Sequence, residues 1–308
     1  MLLNLKEFSE KTGGISSGHR ACAGCGMTII PKIVLGVTEN PVIFASATGC
    51  FEVVTTIYPH TSWPVPWIHL AFENAAAAIS GVETAYKALK KKRRVKEKIH
   101  FIALGGDGGT YDIGLQSLSG AIERGHNFLY ICYDNEGYMN TGVQRSGATP
   151  YGAKTTTSPA GKVIPGKMQR RKDLTEIIVA HHNIYAAQAS ISHWGDLARK
   201  IEKALKRDGP SFLNVLSPCP TGWDFPTDMT VEIAKLAVET CFWPLYEVED
   251  GRYKINYKPK KKIPIYEWIK HQGRFKHILK REDIISQIQK EVDEYWERLL
   301  RFEKLSEN

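Results

Sequence analysis

Along the first 240 positions, short apolar runs alternate with longer stretches in which apolar residues recur every three or four places. The runs 41–45 (Pro-Val-Ile-Phe-Ala), 99–104 (Ile-His-Phe-Ile-Ala-Leu), 127–133 (Asn-Phe-Leu-Tyr-Ile-Cys-Tyr) and 211–216 read as strands, and 74–89, 113–124, 174–181 and 194–206 as helices. Strands separated by helices of this length form βαβ units, so the pattern predicts an α/β fold with a doubly wound, mostly parallel sheet. The strand runs are apolar throughout rather than alternating, which expects both faces of that sheet to be covered. No repeat or low-complexity tract interrupts the pattern. Past residue 240 it changes: Ile284, Ile288, Val292, Tyr295, Leu299 and Phe302 mark a terminal amphipathic helix. We therefore expect a main domain over 1–240 and a C-terminal extension over 241–308 that packs on the main domain or on another chain.

Charge sharpens this division. The 308 residues, 43% apolar and 24% charged, carry a formal +8, which excludes a disordered chain and a disulfide miniprotein but selects no partner. The excess is local. Residues 87–98 hold eight basic residues and one acid, residues 252–281 hold eleven and one, and residues 282–308 hold four against eight acids. Such blocks read first as solvated faces; the 87–98 block also suits an acidic ferredoxin or a neighbouring subunit. No nucleic-acid motif accompanies either block. No run of about 18 apolar residues is present, and the first residues lack the basic and apolar regions of a signal peptide. Six cysteines are too sparse for a secreted scaffold, so a cytoplasmic protein without membrane contact is expected.

Candidate chemistry begins at Gly105, Gly106, Asp107, Gly108, Gly109 and Thr110, between a strand and a helix. Glycines let a backbone approach phosphate oxygens, and a helix start offers free N–H groups to an anion. A carboxylate among phosphates needs a cation between them, so Asp107 points to Mg²⁺. A second polar loop, 134–142, follows the next strand and contains Asn135 and Asn140. Both loops fall at the carboxyl ends of strands, where open α/β sheets bind ligands. Gly106-Asp107-Gly108, 26 intervening residues and then Asn135 resemble the thiamine-diphosphate signature, although Glu136 replaces its usual second Asn. That resemblance implies Mg²⁺ held by Asp107, the Asn135 amide oxygen and the Gly137 carbonyl, with Gly105 to Gly109 along the diphosphate.

Cys22 and Cys25 form a Cys-Ala-Gly-Cys pair, while Cys50 and Cys219 sit in Gly- and Pro-containing loops; Cys132 and Cys241 read as core thiols. Four loop thiolates suit Zn²⁺ or an iron–sulfur cluster, and the pair alone could also be a redox dithiol. Taken with their neighbours, six segments in one order (19–26, 47–54, 67–75, 105–110, 133–142 and 216–223) resemble the thiamine-binding β subunit of multi-subunit pyruvate:ferredoxin oxidoreductases, within the 2-oxoacid:ferredoxin oxidoreductases. The resemblance runs from about His19 to Trp223, roughly two-thirds of the chain.

It implies the thiamine-diphosphate-binding fold and a [4Fe–4S] cluster on Cys22, Cys25, Cys50 and Cys219. The implied activity is oxidative decarboxylation of pyruvate with coenzyme A, electrons leaving to ferredoxin. Asn140 matches a polar residue at the substrate position, and Thr48, Gly49 and Glu52 lie where cofactor contacts are expected. His69, Phe72 and Asn74, in a matching segment, are balanced between site and simple packing. The glutamate that activates the thiamine ring would come from the companion α subunit, so with its α, γ and δ-type partners this chain supplies half of an active site. A branched-chain 2-oxoacid substrate, or a non-redox thiamine decarboxylase or carboligase, are the alternatives.

Overall fold

The computed structural model describes residues 5–10 and 14–307; residues 1–4, read above for a leader, lie outside this range. Eight strands form one sheet: β1 (Val42–Ala47), β2 (Trp67–Leu70), β3 (His100–Gly106), β4 (Leu129–Asp134), β5 (Tyr185–Ser190), β6 (Ser211–Leu216), β7 (Tyr246–Glu249) and β8 (Arg252–Ile255). Their order is β2-β1-β3-β4-β6-β5-β7-β8, parallel from β2 through β5, with β7 and β8 antiparallel. Strand residues alternate between two cores. Ile102, Leu104, Ile131, Leu213 and Val215 face one layer of helices, whereas Phe101, Ala103, Tyr130, Cys132 and Phe212 face the other. This doubly wound arrangement is why the strand runs are apolar at every position.

The strands and helices read from the pattern are present with end shifts of a few residues. The unforeseen strands explain themselves. β5 (Tyr-Ala-Ala-Gln-Ala-Ser) is fully buried but weakly apolar. β2 is a short, half-exposed edge strand. The β7–β8 hairpin turns at Asp250 and Gly251, both at positive φ (51° and 77°). An Asp-Gly pair in this conformation favours a two-residue hairpin, a local signal that was available in the sequence.

Residues 241–308 are not an appendage. Their hairpin extends the sheet, and Ile265, Trp268, Ile269, Phe275, Ile278, Ile284, Ile288 and Val292 belong to the same core as β1 and β3. The boundary expected at 240 therefore divides a single packed body. Helix Glu282–Ser306 covers the last strand: Ser306 accepts from Tyr253 N at 2.9 Å, and Glu303 from Ile255 N at 2.8 Å. Side chains thus satisfy N–H groups that a bare sheet edge would expose. The basic 252–281 block is partly answered within the chain, since Lys258 pairs with Glu303 and Lys262 with Asp293 on that helix. The 87–98 block closes helix Ala75–Lys91 and leads into β3, which puts it at the amino ends of the parallel strands. Among the described residues, no helix is long and apolar enough to cross a membrane.

Candidate cofactor site

Four neighbouring strands, β1, β3, β4 and β6, release their chains at the same edge of the sheet. The loop after β1 carries Thr48, Gly49 and Cys50, that after β3 Asp107, that after β4 Asn135 to Asn140, and that after β6 Cys219. Parallel pairing alone brings these separated motifs together, at the place where open α/β sheets bind ligands.

Asp107 is fully buried. Its Oδ1 accepts from Asn135 N at 3.2 Å and its Oδ2 from the Ser146 hydroxyl at 2.5 Å. Burial, and after it the negative charge of Asp134, pushes this carboxyl well above the ordinary range. One terminal atom of the Asn135 amide lies 2.9 Å from both Asp107 Oδ1 and Gly137 O. With nitrogen at that position, the amide would donate to both. With oxygen there, three oxygens face one another at close to the edge of an octahedron whose metal–oxygen distance is about 2.1 Å, an edge of roughly 3.0 Å. The donor set and spacing fit Mg²⁺.

Beside these oxygens opens a narrow cleft of about 30 Å³, lined among others by Thr48, Gly49, Cys50, Gly106, Gly108, Gly109, Tyr133, Asn135, Gly137 and Asn140. Its walls require glycine: a Cβ on Gly49 would stand 2.6 Å from Tyr133 Oη, and one on Gly108 2.4 Å from the Tyr138 ring. The Tyr133 hydroxyl is buried without a hydrogen-bond partner. Such an orphan at a cleft wall is the mark of a site built for a polar ligand. Residues Gly108–Ile113 wind as one wide π-helical turn, a form that recurs at functional sites.

Thr48 lines the cleft and its hydroxyl bonds His69 Nε2 at 2.8 Å, while His69 Nδ1 lies 3.5 Å from Glu52 Oε1. Glu52 is thus one residue removed from the cleft, behind His69, rather than on its wall. Phe72 lines the cleft and Asn74 precedes helix Ala75–Lys91.

The four loop thiols are free and feel one another's charge. Burial first, then the neighbouring thiols, pushes Cys50 up to about 12; Cys25 also reaches about 12, with Cys219 and Cys22 adding to its burial. The Cys22–Cys25 turn is pinned by Thr230, whose hydroxyl donates to Gly24 O at 2.6 Å. Gly24 is at φ +72°, with space for no side chain, since a Cβ would lie 1.9 Å from Thr227 O. Among the described residues, no three His, Cys, Asp or Glu side chains close on a single metal ion. Four cysteine sulfurs are the donor set that a cubane takes, one thiolate on each iron. Cys132 and Cys241 are buried, as expected.

Residues 47–215 match the family model described as "Thiamine pyrophosphate enzyme, C-terminal TPP binding domain". The chain is 56% identical to pyruvate synthase subunit PorB of Thermotoga maritima over 100% of its own length and 99% of that protein. It belongs to the PorB family of thiamine pyrophosphate enzymes. At 48% identity, over 92% of this chain and 91% of the relative, it also resembles ketoisovalerate oxidoreductase subunit VorB of Pyrococcus abyssi. A solved 2-oxoglutarate:ferredoxin oxidoreductase from Magnetococcus marinus shares the fold at 19% identity, with TM-score 0.55 over 72% of this chain and 79% of that one.

Beneath the PorB-family signature lies a buried ionic layer that carries no motif in the sequence. Asp134 accepts from Tyr111 at 2.5 Å and pairs with Arg171, which also reaches Glu136 at 2.8 Å; Arg274 meets the other Glu136 oxygen at 2.6 Å. Glu136, which departs from the signature, thus serves as an anchor between two arginines. Lys167 donates to the carbonyls of Ser146, Gly147 and Thr149, holding the loop under Asp107. A larger cavity of about 520 Å³ opens under the C-terminal helix, away from every predicted ligand; its Arg171 and Arg298 are already paired with Asp134 and Asp173.

Proposed function

We propose that this chain is the thiamine-diphosphate-binding β subunit of a pyruvate:ferredoxin oxidoreductase, forming acetyl-CoA and CO₂ from pyruvate and coenzyme A. The observation that carries this reading is one end of the sheet that gathers a glycine-walled cleft, Asp107 beside Asn135, and the loops of Cys50 and Cys219. A non-redox thiamine enzyme would have no use for the thiols.

Bound thiamine diphosphate supplies the nucleophile and electron sink for decarboxylation, and a [4Fe–4S] cluster accepts electrons singly. The chain's own groups do the holding. Asp107, Asn135 and Gly137 would hold Mg²⁺, and Gly105, Gly106, Gly108 and Gly109 would lie along the diphosphate. Thr48 and Gly49 line the cleft and would contact the cofactor, with His69 between Thr48 and Glu52. Asn140, an exposed residue of the cleft lining, would donate to the oxoacid. Cys22, Cys25, Cys50 and Cys219 would carry the cluster. Cys50 also lines the cleft, so one of the four thiols would stand beside the bound cofactor. The activating carboxylate and the exit to ferredoxin would come from α, γ and δ-type subunits, in a cytoplasmic complex that binds neither nucleic acid nor membrane.

The test separates the two cofactors. In the anaerobically purified complex, Cys219→Ala loses the cluster and keeps thiamine and Mg²⁺, whereas Asp107→Ala does the reverse. Both variants retaining normal iron refutes the ligand assignment. Coenzyme-A-dependent dye reduction with pyruvate and 2-oxoisovalerate then decides between the PorB and VorB substrates.

A further inference from the structure

Arg274 reaches the site from the segment expected to be an appendage. Its side chain is 3% exposed. The guanidinium lies 3.7 Å from the Trp223 ring centroid, donates to Glu136 Oε2 at 2.6 Å and to Gln272 Oε1 at 2.9 Å. Trp223 ends the short helix Pro220–Trp223 that follows Cys219. Its backbone N donates to Cys219 O at 2.9 Å, and its indole donates to Asn135 O at 2.7 Å. Gly273 N, one residue before Arg274, donates to Asp224 O at 2.8 Å and ties the same turn. One cation therefore sits on the ring that links a cluster ligand's turn to a magnesium ligand's backbone.

A clamp alone would not require charge at this position. Glu136 already has Arg171 as a partner. Without Arg274, Arg171 would be left to compensate Asp134 and Glu136 together, inside a dry region where charge is poorly screened. A cluster on four thiolates is anionic and gains a further negative charge on reduction, so a buried cation beside one ligand favours the reduced form.

We propose that Arg274 is a positioning residue that holds the Cys219 turn against the magnesium loop through Trp223, and that its charge raises the reduction potential of the cluster. This rests on the cluster reading above. The experiment is an EPR-monitored redox titration of the whole complex, purified anaerobically. At the potential where the wild-type cluster is half reduced, Arg274→Gln is expected to shift the reduced-to-oxidised ratio on the order of tenfold toward oxidised, about 59 mV more negative for a one-electron couple. Arg274→Lys, which keeps the charge, stays near the wild-type value. Glu136→Gln, which leaves Arg274 less compensated, moves the potential the other way. An unmoved potential in Arg274→Gln overturns the proposal while leaving the cluster assignment intact. Absence of any cubane signal or iron in the wild-type complex overturns both. If Arg274→Gln fails to assemble, a Glu136→Gln potential that does not rise is the refuting result. Cluster loss in all three variants leaves only the positioning role and refutes the effect of the Arg274 charge on the potential.

Discussion

Substituting Gly108 by alanine adds one methyl group to the tightest wall of the cofactor cleft. The new Cβ would lie 2.4 Å from one Tyr138 ring carbon and 2.6 Å from two more. Restoring a carbon–carbon contact of about 3.5 Å requires the ring to retreat by roughly 1 Å. It is poorly placed to do so. Its hydroxyl donates to Gly108 O at 2.9 Å and to Asp112 Oδ2 at 3.3 Å, and its backbone pairs with Gln144 in both directions. A ring that moved would drag Gly137, whose carbonyl faces Asn135. Overpacking of this kind costs about 1–3 kcal/mol. Spent on the cofactor-bound state, that is about 5- to 150-fold in affinity. Isothermal titration of Mg²⁺–thiamine diphosphate into cofactor-stripped complex measures it. Gly81→Ala is the control, because its Cβ meets nothing within 4 Å on helix Ala75–Lys91. That change should stabilise by about 0.5–1 kcal/mol and leave cofactor affinity alone. Gly108→Ala binding within twofold of wild type would show that the cleft wall does not bear on the cofactor.

Four further outcomes follow from other parts of the fold. Burial raises the Glu83 carboxyl, but hydrogen bonds from Lys87, His126 and the Asn127 N–H outweigh it and hold the group below its ordinary value. The unfolded chain then takes up the proton first, so Glu83 stabilises above about pH 4.3 and this contribution is lost as pH falls through the folded value. Urea midpoints from pH 7 to 3 should therefore fall less steeply in Glu83→Gln, and parallel curves would remove Glu83 from the account. Neutralising Lys90, Lys91, Lys92, Arg93 and Arg94 should slow electron delivery to ferredoxin at low ionic strength, and an unchanged rate would reject that role for this block. Trp268, fully buried, stacks on Phe242 at 4.2 Å and meets Trp223 edge-on. Trp268→Ala should cost about 3–5 kcal/mol, read as a lowered urea midpoint. A chain stopped at residue 260 should not fold, and a soluble, cooperative fragment would restore the boundary at 240.

Function was legible here wherever chemistry is written in contiguous residues. Gly106-Asp107-Gly108, Asn135 and the cysteine loops announce themselves because a backbone near phosphate demands glycine and a metal demands particular donors at short spacing. Apolar runs likewise disclosed the buried strands, since a strand covered on both faces has no polar side to hide. β5 escaped because alanines and one glutamine can be buried without looking apolar. The carboxylate expected at the cofactor, Glu52, stands beside His69, to which its helical turn points it.

The amino-acid order by itself determined the kinds of chemistry available: an anion cradle, an oxygen set for a hard cation, and sulfur ligands. Tertiary structure decided which of them meet. Pairing β1, β3, β4 and β6 side by side put four loops at one edge, and burying the segment after residue 240 delivered Arg274 to Trp223 and Glu136 across 138 positions of chain. No local pattern records such a contact. Its stability comes from a cation, an aromatic face and a carboxylate sharing one water-free space, and only the packed fold creates that space.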